Sequence, residues 1–167
     1  PPLVARSLAE ALPFADGSAA TLVSLEVIEH LDDDLTALAE YRRVLRPAGI
    51  LLITVPAYQW LWGDHDVTAA HRRRYGARQF RNVVEAAGFE VLEATSYFSF
   101  LVPPAFLVRR TPIGRLVGAS EDEASSIHPV VDRLFEAMGA AERRVARSRA
   151  IPFGLSLAIV ARRPHPR

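Results

Sequence analysis

TLVSLEVIEHLDDDLTALAEYRRVLRPAGILLITVP, residues 21–56, sets the architecture of the chain. Its last eight residues, GILLITVP (49–56), form a continuous apolar run bounded by Gly49 and Pro56. That is the pattern of a strand covered on both faces, as in a parallel sheet. TLVSLEV (21–27) reads the same way and ends in an acidic patch. Between the two runs, Leu35, Leu38, Tyr41, Val44 and Leu45 recur at helical spacing. Asp32 or Asp33 can cap the start of that helix, and Pro47 stops its end. Strand, helix and strand in this order imply a parallel crossover.

Working outward, a second helix is expected over 77–87, with Phe80, Val83, Val84 and Ala87 on one stripe and Gly88 just beyond its end. FEVLEATSYF (89–98) reads as a strand, and a helix over 129–147 would turn Val131, Leu134, Phe135, Met138 and Val145 inward. GLSLAIVARR (154–163) is the last strand. Prolines and glycines break PPAFLVRRTPIGRLVG (103–118), and SEDEASS (120–126) is a polar loop. Alternating strands and helices indicate an open α/β sheet, with one domain spanning 1–167. In such sheets ligands sit outside the carboxyl ends of the strands. SLEVIEH (24–30) and PAYQWLW (56–62) therefore fall on the functional edge.

Half of the 167 residues are apolar, a globular composition long enough for one core. A net charge of +1 gives no bulk electrostatic case for nucleic acid. All 20 basic side chains are arginine, which reads first as compositional bias and second as a supply of bidentate anion contacts. With no cysteine, thiolate nucleophiles and thiolate metal sites are excluded. No apolar run approaches the length of about 18 residues that spans a bilayer, and no signal peptide is visible; a cytoplasmic location is the expectation.

The pieces EALPFADGS, LVSLEVIEHLDDD and ALAEYRRVLRPAGILLITVP, taken in order, resemble the class I S-adenosylmethionine-dependent methyltransferases. Within them the chain is most similar to the type 11/12 methyltransferases that include the ubiquinone-type O-methyltransferases. ALPF (11–14) stands where the family's third strand has ended, VIEHL closes the fourth, RVLRPAG leads into the fifth, and FEV precedes the sixth. FGLSLAIVARRP resembles the antiparallel seventh. The resemblance implies a Rossmann-like sheet, mostly parallel with an antiparallel last strand, and S-adenosylmethionine as cofactor. It places Ala9 against the adenine, and Ser24, Leu25 and Glu26 near the methionine end.

The sequence also departs from the family. The glycine-rich turn and the ribose-binding acid of the first βαβ unit are missing, so the chain reads as starting on or just before the third strand, at LVARS. The expectation is a fragment of a longer enzyme, with an open sheet edge that a homo-oligomer or strand swap would cover. Leu8 replaces a frequent aspartate, Ala19 and Ala20 a Phe-Asp pair, and Ala48 a glycine. These departures support an alternative reading, a non-catalytic methyltransferase-like module acting through a partner.

Methyl transfer from a sulfonium is an in-line displacement, in which the protein aligns the partners and removes a proton where needed. His30 and His71 are the candidate bases. If Glu26 begins a helical turn, Glu29 and His30 follow at i+3 and i+4, and all three share a face. Together with His71 they resemble the Glu-x-x-Glu-His metal sites of some ubiquinone-pathway and small-RNA methyltransferases, implying Mg²⁺ or Mn²⁺. The other reading is that Glu29 and His30 only stabilise the turn. Arg72 and its neighbours either clamp an anionic acceptor or form a solvated helix entry, with Tyr75 contacting the acceptor or packing beneath. Trp60 and Trp62 either wall an acceptor pocket or cover the sheet edge. Asp64, His65 and Asp66 are adjacent and point apart, which argues against a metal triplet. Residues 99–150 read as an acceptor-side lid, whose apolar and arginine-bearing segment would suit a lipid-linked acceptor or peripheral membrane contact. The function expected is methyl transfer to a small-molecule or lipid-linked acceptor, with oxygen favoured.

Overall fold

The computed structural model describes residues 4–110 and 129–165. Strand β1 (Ala19–Leu25) leads through a 3-10 turn (Ile28–His30) into helix α1 (Asp34–Val44) and strand β2 (Leu45–Pro56). A short helix α2 (Asp64–Thr68), helix α3 (Ala77–Ala86) and strand β3 (Glu90–Tyr97) follow. Helices α4 (Val102–Arg110) and α5 (Pro129–Ala146) precede the last strand, β4 (Ser156–Arg162). The sheet order is β1-β2-β4-β3; β1 and β2 pair in parallel, and β4 runs antiparallel to both of its neighbours. The mostly parallel sheet with an antiparallel last strand is the architecture expected. The carboxyl ends of β1, β2 and β3 and the start of β4 consequently meet at one edge.

Local chemistry explains the boundaries. Asp33 caps α1, its Oδ1 accepting from the Leu35 and Thr36 amides at 3.0 and 3.2 Å. Gly88, at φ +84°, stops α3 in the left-handed region. Leu51, Ile53 and Val55 of β2 and Leu157, Ile159 and Ala161 of β4 alternate onto one buried face. There they meet Leu38 and Tyr41 of α1 and Phe80 and Val84 of α3.

Three expectations are corrected. Residues 4–8 form no strand and make only an isolated bridge from Leu8 to Ala11, so the outer edge of β1 pairs with no strand among the described residues. Val23 and Leu25 are more than half exposed. Leu134, Phe135 and Val145 of α5 do not turn inward: they are 56%, 37% and 37% exposed, because the helix docks at the edge of the sheet and not across its face. The side chain of Val131 lies outside the described residues, as do positions 111–128 of the expected lid. Among the described residues no helix is long and apolar enough to cross a membrane.

Candidate functional site

The chain turns sharply at the end of β1. Glu26 sits at φ +51°, in the left-handed region, and its amide donates to the Thr54 carbonyl and Thr54 Oγ1, both at 3.2 Å. This kink delays the helical turn to Ile28–His30 and separates Glu26 from the two residues that follow it in the motif. The Glu26 carboxylate accepts from Tyr97 Oη at 3.0 Å instead of joining them.

Glu29 and His30 meet His71 across the chain. Each of the three offers a ligand atom, and these atoms lie within 4.8 Å of one another. Glu29 is fully buried, and neither of its oxygens has a hydrogen-bond partner among the described residues. Burial pushes its pKa up to about 8. His30 Nε2 lies 3.8 Å from Glu29 Oε1, while its Nδ1 is 3.3 Å from the Ala70 carbonyl. The His71 ring stands edge-on to that of His30, with centroids 4.8 Å apart.

A buried carboxylate holds His71 in place. Asp66 Oδ1 is 2.8 Å from His71 Nδ1 and accepts from Arg74 Nε at 2.6 Å, while Oδ2 accepts from the Gly63 amide at 2.9 Å. Desolvation opposes ionisation of Asp66, but the hydrogen bonds from Arg74 and His71 hold its pKa below the usual value. Because a carboxylate only accepts, Nδ1 carries the proton and the Nε2 lone pair of neutral His71 stays free. In the sequence Asp66 stands out only as part of the disfavoured Asp-His-Asp triplet, and Arg74 only as a neighbour of Arg72. The available signal was an acid at the third position of a helix begun by Gly63, reaching back to the Gly63 amide.

A polar cavity of about 180 Å³ opens beside this group, with Glu26, His65, His71, Arg74, Phe98 and Ser156 on its walls. Trp60, Trp62 and Tyr75 do not line it. Trp60 is partly exposed, stacked on Tyr58 at 5.5 Å and edge-on to Phe106 at 5.9 Å. Trp62 is half-buried next to it. Tyr75 is fully buried; its hydroxyl donates to Asp34 Oδ2 at 2.8 Å, so its place is in the core, beneath the arginines. Arg72 is tied to the turn below, with Nε donating to the His30 carbonyl at 2.9 Å and an ion pair to Asp32 at 2.8 Å. Arg73 donates to the carbonyls of Leu31 and Asp32, both at 2.8 Å. The consecutive arginines thus pin the 70–75 segment onto the 29–34 turn.

The positions assigned to the cofactor by resemblance are dispersed. Ala9 lies half-buried in the Leu8–Ala11 turn, which Glu40 anchors by accepting from the Leu12 amide at 2.7 Å. Ser24 turns its hydroxyl inward to Tyr41 Oη, 3.2 Å away. Leu25 is exposed at the end of β1, and Glu26 borders the polar cavity. Of the four, Glu26 alone lines the polar cavity.

Residues 2–53 match the family of methyltransferase domains. Over 94 residues the chain is 36% identical to a probable S-adenosylmethionine-dependent methyltransferase of Mycolicibacterium smegmatis, covering 55% of this chain and 36% of that protein. Over 139 residues it is 29% identical to the O-methyltransferase cnsE of Penicillium expansum, covering 79% and 50%. The chain therefore spans between a third and a half of these curated relatives. Among solved structures, the [4+2]-cyclase SpnF superposes with a TM-score of 0.58 at 25% identity, over 97% of this chain and 56% of the cyclase.

Proposed function

The chain belongs to the class I S-adenosylmethionine-dependent methyltransferases, and from that premise we propose that its site serves methyl transfer to an oxygen of a small-molecule or lipid-linked acceptor. The observation that carries this reading is His71: its Nδ1 is tied to buried Asp66, and it lines a polar cavity at the carboxyl edge of the sheet. S-adenosylmethionine, when bound, supplies an electrophilic methyl group. The backbone at Leu25 and Glu26 and the Ala9 turn would hold it, with the Ser24 side chain serving the core behind. His71 Nε2 takes the acceptor's proton, and Asp66 stabilises the imidazolium that forms. His30, on the other side of Glu29, is the second candidate base. Arg74 keeps Asp66 ionised, and Tyr97 orients Glu26. Substituting His71→Ala should lower kcat for an oxygen acceptor by about 10²-fold or more, the usual worth of a positioned base. An unchanged kcat in that variant would overturn the assignment.

A second reading is favoured by the unpartnered Glu29 carboxylate. Glu29 with the Nε2 atoms of His30 and His71 suits a divalent ion, and both Nδ1 atoms face oxygen acceptors, as is usual for metal-bound histidines. Such an ion would polarise the acceptor oxygen and lower its pKa. Two imidazoles in a donor set of three favour Mn²⁺ over Mg²⁺, and Glu26 stands outside the set. Activity lost to a chelator and restored by Mn²⁺ supports the ion, whereas indifference to chelation leaves His71 as the base.

The part played by residues 99–150 as the acceptor-side cover, and by Trp60 and Trp62 as its outer wall, belongs to the same proposal. So does the reading that a second copy pairs along the open edge of β1. The alternative, a methyltransferase-like module without catalysis that acts through a partner, rests on Leu8, Ala19 and Ala20 standing where the family carries other residues.

A further inference from the structure

An apolar groove of about 660 Å³ lies beside the polar cavity, within the range of roughly 300–1,000 Å³ common for small-molecule sites. Phe100, Met138, Ala141, Val145, Ile151 and Pro152 form its apolar walls. It exists because α5 is clamped to the exit of β3. The Glu142 carboxylate accepts from the Ser99 amide at 2.7 Å and also from the Phe98 amide and the Ser99 hydroxyl. That clamp holds the helix at the exit of β3, with Leu134, Phe135 and Val145 of its apolar stripe exposed among the described residues.

The groove and the polar cavity flank a single short segment. Phe98 lines the polar cavity and Phe100 the groove, with ring centroids 6.3 Å apart. Phe135 of α5 extends the aromatic wall, 6.2 Å from Phe100. A molecule with its polar end beside His71 could therefore run past Phe98 into a mainly apolar trough, where Ser99, Glu142 and Arg149 are the polar residues of the lining. The geometry points to an amphiphilic acceptor: a compact head carrying the reacting oxygen in the polar cavity, and an aliphatic or isoprenoid chain in the groove. This rests on the methyl-transfer reading and adds to it the class of acceptor. The short step from Phe98 in one compartment to Phe100 in the other favours an acceptor's own chain over a membrane surface, since a bilayer would need the apolar residues on an outer face and not in a trough beside the site.

The test is a series of alkyl para-hydroxybenzoates, from methyl to dodecyl, titrated into the full chain below their micellar concentrations. Affinity should rise steeply with length, by up to roughly fourfold per buried methylene, until the groove is filled. Ala141→Trp, which fills the trough from an exposed helical position, should abolish the length dependence and spare the methyl ester. Val145→Asp repeats the test by polarity instead of bulk. Affinity independent of chain length, or a length dependence untouched by both substitutions, would overturn the proposal. Binding to phosphatidylcholine vesicles without that length dependence would overturn it too, and would mark the aromatics as a membrane contact. Retained length dependence with methyl-ester binding indifferent to His71→Ala would uphold the groove while removing the head from the His71 site.

Discussion

Glu29 buries a carboxylate that no hydrogen bond satisfies among the described residues, and this makes stability depend on pH in a definite direction. Its pKa rises from an ordinary 4.5 to about 8, so the folded state holds the proton more tightly than the unfolded chain. The associated stability is fully present below about pH 4.5 and is lost as pH rises through about 8. In metal-free protein Tm should therefore fall across that window through this group, and Glu29→Gln should flatten the fall. If Mn²⁺ binds, it should raise Tm above pH 8 in the natural chain and not in the variant. A second residue-scale prediction concerns Ala48, held at φ +60°. Relief of about 1–2 kcal/mol of left-handed strain, against the roughly 0.5–1 kcal/mol entropic cost of glycine, should leave Ala48→Gly stabilised by about 0.5–1 kcal/mol in denaturant unfolding. The grouping of Glu29 with His30 was legible from residue type and spacing, and His71 joined them by resemblance. The separation of Glu26 was not, since it depends on one left-handed backbone turn that any residue could in principle have made. Asp66 was hidden for a related reason: its place beside Asp64 and His65 could not show that it turns back under His71.

Apolar periodicity found every strand of the sheet and the helices α1, α3 and α5 at the scale of elements, because each buries or presents a stripe with its own period. It failed where partners decide the outcome. The stripe of α5 looked like an inward face, but the helix is held by Glu142 at the exit of β3, and Met138 and Val145 of that stripe line a groove. Glu142→Ala should release that helix, and faster amide exchange at Phe98 and Ser99 would show it; unchanged protection would place the anchor elsewhere. The opposite end of the sheet has its own strap. Glu40 accepts from the Leu12 amide and from Arg43, which also reaches Asp16 and the Phe14 carbonyl. The Arg43 hydrogen bond lowers the Glu40 pKa to about 2, so this anchoring is present above about pH 4.5 and fades only as pH falls toward 2. Glu40→Gln should therefore loosen exchange over residues 8–16, including the turn that carries Ala9, without altering α3.

For the whole molecule, sheet order and the crossing of strand ends are what turn a list of residue types into a site. β1, β2 and β3 end at one edge, so Glu26, His71 and Phe98, distant in sequence, border the same polar cavity. The topology was legible because a parallel crossover and an antiparallel last strand leave few arrangements. The proposed cofactor wall rests on resemblance alone, since Ala9, Ser24 and Leu25 carry no chemistry of their own. That wall is also where the account is most exposed. Calorimetric titration of S-adenosylhomocysteine into the chain tests it directly. The account predicts saturable binding that Leu25→Arg, at the exposed end of β1, abolishes. No heat of binding at millimolar ligand would contradict cofactor-dependent methyl transfer by this chain.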